Sequence, residues 1–161
     1  MRELEREDWP AVLALNQASV RELSSLDQPR LGYILALVYR SLVVDLGPDG
    51  GVAAFAIAVA PGAPYDSANY RWFAERYTQF LYLDRIAVAA EHRRRGFGEA
   101  LYERMEQAAL PFARMVCDVN VRPRNDASLA FHAARGYEDV GRLDHGEEKT
   151  VALMEKGLLG S

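Results

Sequence analysis

A strand that runs through a short basic loop into a glycine-bearing helix constrains this chain more than any other feature. Phe80 to Val88 is the longest strand candidate. Ala89 to Arg95 is a short loop ending in three adjacent arginines, and Gly96 to Ala109 has helical periodicity. Within that helix Gly98, Leu101, Met105 and Ala108 form one stripe, with Glu99, Glu103 and Glu106 off it. A helix with one apolar face must bury it, and here the nearest apolar surface is the sheet its own strand joins. The chain is therefore expected to be α/β.

The remaining segments agree. Arg2 to Glu7 reads as a first strand. Asp8 is placed to cap a helix whose first turn holds Trp9 and Pro10, and Trp9, Val12, Leu13, Asn16, Val20 and Leu23 continue at helical spacing. Arg30 to Val38 reads as a second helix. Tyr39 to Leu46 and Val52 to Ala60 form a hairpin around the turn Gly47-Pro48-Asp49-Gly50-Gly51. Tyr70, Phe73 and Tyr77 suggest a short amphipathic helix. Met115 to Val121 is a strand, Asn125 to Arg135 a helix ending at Gly136, and Tyr137 to Leu143 with Thr150 to Lys156 a last hairpin. The order predicts a mixed sheet of about seven strands with about four helices over both faces. No internal linker divides it, so residues 1–161 are expected to form a single domain.

Composition narrows the function classes. Nineteen Lys and Arg against 23 Asp and Glu give a net charge of -4, which argues against a nucleic-acid binder. No run approaches the apolar length of a membrane span, and the charged start lacks the apolar core of a signal peptide. The lone Cys117 cannot form an intrachain disulfide, which suits a reducing cytoplasm. Its neighbours Met115, Val116 and Val119 favour a buried small hydrophobe over an acyl-cysteine nucleophile. His92, His132 and His145 show no paired ligand spacing, so no metal is expected.

Two segments carry chemistry. The first is the strand–loop–helix unit from Leu83 to Gly98. A helix N-terminus presents unpaired N–H groups and the positive end of the helix dipole. Glycines let a ligand approach closely, and Arg93, Arg94 and Arg95 add charge. This suits a pyrophosphate. There is no Gly-Lys-Ser/Thr of a P-loop and no three-glycine dinucleotide fingerprint. In the second segment Asn125, Ser128 and His132 share one helix face, while Leu129 and Phe131 point elsewhere. That face suits the wall of a cleft.

Together these residues resemble the GNAT acetyltransferase superfamily. Arg93-x-x-Gly96-x-Gly98 is similar to its Arg/Gln-x-x-Gly-x-Gly/Ala loop, and Ile86-Ala87-Val88 to the end of its splayed strand. Asn125 to Tyr137 resembles its second signature, with His132 in place of the usual Tyr. The resemblance implies a mostly antiparallel sheet, splayed where acetyl-CoA binds as acyl donor. Ile86, Ala87, Val88, Arg93, Arg94, Arg95, Gly96, Phe97, Gly98, Asn125 and Ser128 would hold the coenzyme, with the N–H near Val88 facing the thioester oxygen. It implies acetyl transfer to a primary amine of a small molecule or peptide, by direct attack through a tetrahedral intermediate. Asp118 is the preferred base, with Asp84, placed on the same strand face as Ile86, as competitor. His132 is the expected general acid. Tyr70, Trp72, Phe73 and Tyr77 are either an acceptor wall or core. A second copy of the chain is an admissible partner. The alternative is a non-catalytic acyl-CoA-binding or regulatory module of the same fold.

Overall fold

The computed structural model describes residues 1–21 and 23–158. Along the chain lie β1 (Arg2–Glu3), α1 (Trp9–Ala18), α2 (Gln28–Leu37), β2 (Arg40–Asp45), β3 (Val52–Val59), α3 (Ala68–Ala74), β4 (Leu81–Val88), α4 (Phe97–Ala109), β5 (Arg114–Arg122), α5 (Asp126–Ala134), β6 (Glu138–Asp144) and β7 (Thr150–Gly157). The strands form one seven-stranded sheet in the order β1-β2-β3-β4-β5-β7-β6. Every pairing is antiparallel except β4 with β5. The predicted mixed sheet with helices on both faces is the observed one.

The N-terminal region differs from the sequence reading. The first strand stops at Glu3, and Arg6–Asp8 form a 3-10 turn. Asp8 does not cap α1 with its side chain. Its carboxylate accepts from both Arg2 guanidinium ends at 2.7 and 2.8 Å and from the Glu5 N–H at 2.7 Å. Helix α1 ends at Ala18 although apolar spacing continues to Leu23. The buried Asn16 amide donates to the Ser24 carbonyl at 3.0 Å, which requires the chain to double back there.

Each face of the sheet carries its own core. On one face Val12 of α1, Leu31 and Ile34 of α2, and Tyr70 and Phe73 of α3 cover Phe55, Ile57, Tyr82 and Val116. The aromatic stripe of α3 is thus core: Tyr70 is 2% exposed and Phe73 fully buried. On the other face Leu101, Tyr102, Met105 and Ala109 of α4 cover Leu42, Leu81, Leu83 and Met115. Each of the buried Val, Leu, Ile, Phe and Met side chains among them contributes roughly 1.5–3 kcal/mol.

Glu106, expected off the buried stripe, is only 8% exposed. It accepts from Arg135 at 2.9 and 3.0 Å, from the Tyr137 hydroxyl at 2.7 Å and from Lys156 at 3.2 Å, tying α4 to α5 and β7. Burial alone would raise its carboxyl; those bonds outweigh burial and hold it low.

What positions the site is the parting of β4 from β5. Their ladder holds only Leu81 to Met115 and Tyr82 to Val116. Beyond it β4 runs on to Val88 and β5 to Arg122 without pairing to each other. A bulge skips Asp84 as β4 pairs with β3. The sheet is therefore open between its two central strands.

Candidate functional site

The opening is the floor of a cleft of about 520 Å³. Ile86, Ala87 and Val88 of β4, Gly98 and Tyr102 of α4, Asp118, Val119 and Asn120 of β5, and Ser128, Phe131 and His132 of α5 all line it. So do Arg93, Arg94 and Asn125 in the loops, with Ser19 and Leu23 beyond the end of α1. Two segments about thirty residues apart in sequence thus wall one space.

At its outer end the cleft gathers groups that can hold an anion. Helix α4 makes its first N–H bond from Ala100 to Gly96, leaving the earlier N–H groups without intrahelical partners. Gly96 holds φ +82, a conformation that favours glycine, and Arg94 holds φ 66. A Cβ added at Gly98 would meet only Val88, at 3.8 Å, so the chain itself leaves the space above Gly98 open. Arg93 and Arg94 line the cleft. Arg95 instead turns to His92, 2.9 Å away, and lies over the Phe97 ring. Arg95, Gly96 and Phe97 shape the loop without lining the cleft.

Along β4, the Ala89 N–H donates across to Ala53 of β3 at 2.8 Å. Strand N–H groups alternate in direction, so that of Val88 points the other way, into the gap toward β5. Across the gap, the Asn125 N–H donates to the Asn120 carbonyl at 3.1 Å, closing the turn after β5. The Asn125 side chain then caps α5, accepting from the Ser128 N–H at 3.1 Å.

Mid-cleft lies a pair that sequence reading saw only in half. His132 is 4% exposed, between Tyr102, Phe131 and Tyr137. Its Nδ1 is 2.7 Å from the Ser128 carbonyl. A carbonyl only accepts, so Nδ1 carries the proton and Nε2 a lone pair. The Tyr102 hydroxyl, 2.5 Å away, donates to that Nε2. Burial pushes the imidazole below its usual range and the phenol well above its own. His132 is thus a neutral ring with both nitrogens engaged, and it shares the cleft wall with the Tyr102 that donates to it. Cys117 lies behind this pair, its thiol pushed up by burial.

On the inner side Asp118 accepts from the Tyr82 hydroxyl at 2.6 Å. Burial, and secondarily Asp84, push its carboxyl up to about 6; Tyr82 and Asn69 oppose them. Asp84 does not share the face of Ile86. The bulge turns it to the other face, where it takes the Tyr65 hydroxyl and Arg85 Nε, the latter at 2.7 Å. Arg85, 6% exposed, also reaches Asn16 at 3.0 Å and the Ser24 carbonyl and hydroxyl at 3.3 and 3.1 Å. This network pins the chain after α1 beneath the cleft.

Among the described residues no helix is long and apolar enough to cross a membrane, and no cluster of three or more His, Cys, Asp or Glu stands together as a metal site.

The family described as Acetyltransferase (GNAT) family matches residues 1–137. No curated protein matches the sequence. Among solved structures, Ard1 from Thermoplasma volcanium is similar with a TM-score of 0.77 and 17% identity, over 99% of this chain and 97% of that one. Naa20 from Chaetomium thermophilum, solved with a bisubstrate analogue, is similar with a TM-score of 0.74 and 19% identity, over 98% and 85%. The ribosomal-protein-S18-alanine N-acetyltransferase from Escherichia coli is similar with a TM-score of 0.65 and 20% identity, over 99% and 94%. These likenesses concern the fold; the family match extends over most of the sequence, and the chain belongs to the GNAT acetyltransferase family.

Proposed function

We propose that this protein is an N-acetyltransferase that uses acetyl-CoA to acetylate a primary amine of a small molecule or peptide by direct attack. One observation carries the reading. A single cleft joins an outward-facing set of anion donors, Arg93, Arg94 and the α4 N-terminus, to a desolvated carboxylate, Asp118, across an opened sheet. The open space above Gly98 and the cationic donor set fit a pyrophosphate.

Acetyl-CoA, when bound, supplies a thioester carbonyl open to attack by nitrogen and a thiol leaving group. Arg93, Arg94 and the N–H groups at Gly98 hold the phosphates, and the exposed edge of Ile86–Val88 aligns the extended arm. The Val88 N–H, unpaired toward β5, faces the thioester oxygen and stabilises charge that develops there. Asp118 removes the proton that an ammonium must lose before it attacks. A carboxyl raised to about 6 is ionised at pH 7 yet a stronger base than an ordinary aspartate. The neighbour named for acting on the alanine of a ribosomal protein supports the peptide branch of the acceptor class.

The test is release of coenzyme A thiol from acetyl-CoA with a panel of amines and short peptides. Acetylated product with at least one acceptor, lost in Asp118→Asn, supports the reading. Tight acetyl-CoA binding without turnover on any acceptor supports the non-catalytic module instead.

A further inference from the structure

We propose that Tyr102 is a catalytic residue whose hydroxyl hydrogen-bonds the donor's sulfur as the thiolate forms, and that His132 is the positioning residue that holds it. This rests on the reading of the cleft as an acetyl-CoA site.

Tyr102 follows Gly98 by four residues, one turn along the same face of α4, and both line the cleft. The outer turn of that face takes the phosphates, so the next turn faces the arm further in. There Tyr102 lines the cleft, with Val119 and Phe131 as apolar neighbours, and its hydroxyl reaches His132 Nε2 on the same wall. Asp118 lines the same cleft, so Tyr102 and the base border one space. The titratable and charged groups around Tyr102 are Cys117 and Asp118 of β5, His132 of α5, Arg135 and Tyr137 just beyond it, and Glu106 of its own helix.

The geometry makes a switch. Before reaction the hydroxyl donates to His132 Nε2 at 2.5 Å, and Nδ1 is fixed on the Ser128 carbonyl. When the carbon–sulfur bond breaks, its electron pair goes to sulfur. A hydrogen bond to that anion is stronger than one to a neutral imidazole. The hydroxyl turns about its C–O bond and donates to sulfur. No proton changes owner: the phenol keeps its hydrogen, and the thiolate takes one from solvent on release. An interaction realised only as charge develops lowers the barrier without tightening the ground state. A phenol well above its usual range, beside a thiol of about 8.5, suits a donor that does not ionise.

The experiment follows thiol ionisation of coenzyme A, saturating the protein, by the ultraviolet absorbance of the thiolate. In wild type the bound thiol should ionise at lower pH than in folded Tyr102→Phe, by about one to two units. His132→Phe should move it part of the way; a purely structural His132 would leave it at the wild-type value and overturn its positioning role. Equal ionisation in wild type and Tyr102→Phe overturns the proposal while leaving the coenzyme site intact. Failure of wild type to bind coenzyme A overturns the proposal together with the functional reading. If Tyr102→Phe does not fold, the affinities of coenzyme A and S-methyl coenzyme A for wild type are compared across pH. A gain of the free thiol over the methylated form through the thiol's range supports a donor at sulfur; parallel curves overturn it.

Discussion

The outer end of the cleft comes from one stretch of chain, Ala89 to Gly98, and turns backbone N–H groups and the side chains of Arg93 and Arg94 outward. At and beneath the inner end, Tyr82 donates to Asp118, and Asn16, Ser24, Tyr65, Asp84 and Arg85, drawn from separate segments, bond to one another. An end whose donors wait for a ligand gains little stability from them. An end whose polar groups are already paired is rigid before any substrate arrives. Substitutions at the outer end should therefore weaken binding and leave the fold alone, whereas those at the inner end should act on turnover, stability or both.

The largest expected effect is at Asp118. Asp118→Asn should lower turnover by about 10²–10⁴-fold while acetyl-CoA affinity stays near wild type, as calorimetry would read. A base must be deprotonated to work. With the folded carboxyl at about 6, kcat/KM should fall as pH drops through that value, and the Asn variant should lose that limb. A profile that keeps it places the base elsewhere.

Next comes Arg85→Leu, which leaves the Asp84 carboxylate without its cation and takes from Asn16 Oδ1 and the Ser24 hydroxyl the donor Arg85 supplies. A loss of about 3–5 kcal/mol in denaturant unfolding is expected. An unchanged midpoint would erase the contrast between the two ends.

The smallest effect is at the rim. Arg93→Ala should weaken acetyl-CoA by about tenfold, the scale of one charge-assisted hydrogen bond, with the melting temperature of the free protein unmoved. A destabilised Arg93→Ala would mean that the loop is structural.

The same contrast explains what the sequence made visible. The anion loop was readable because strand, arginines and glycines adjoin, and backbone conformation there is local. The order of strands and helices along the chain followed from hydrophobic periodicity. Asp84 was assigned to the wrong face because a bulge breaks the period of two, and no residue type nearby announces it. Glu106 looked solvent-facing because its partners Arg135, Tyr137 and Lys156 lie about thirty to fifty residues away. Tyr102 was passed over because an aromatic in an apolar stripe reads as core, which its ring is. The usable signal was its four-residue spacing from Gly98 and the need of a buried hydroxyl for a partner.

The most direct test of the cleft is calorimetric titration of acetyl-CoA into wild type and into folded Gly98→Glu. The substitution fills space that the chain leaves open and sets a carboxylate where the proposed function seats the phosphates. Saturable one-to-one binding to wild type, abolished or weakened by roughly a hundredfold or more in the variant, is the predicted result. Equal affinity in both proteins would contradict it, and the opening between β4 and β5 would then not be the berth of the donor.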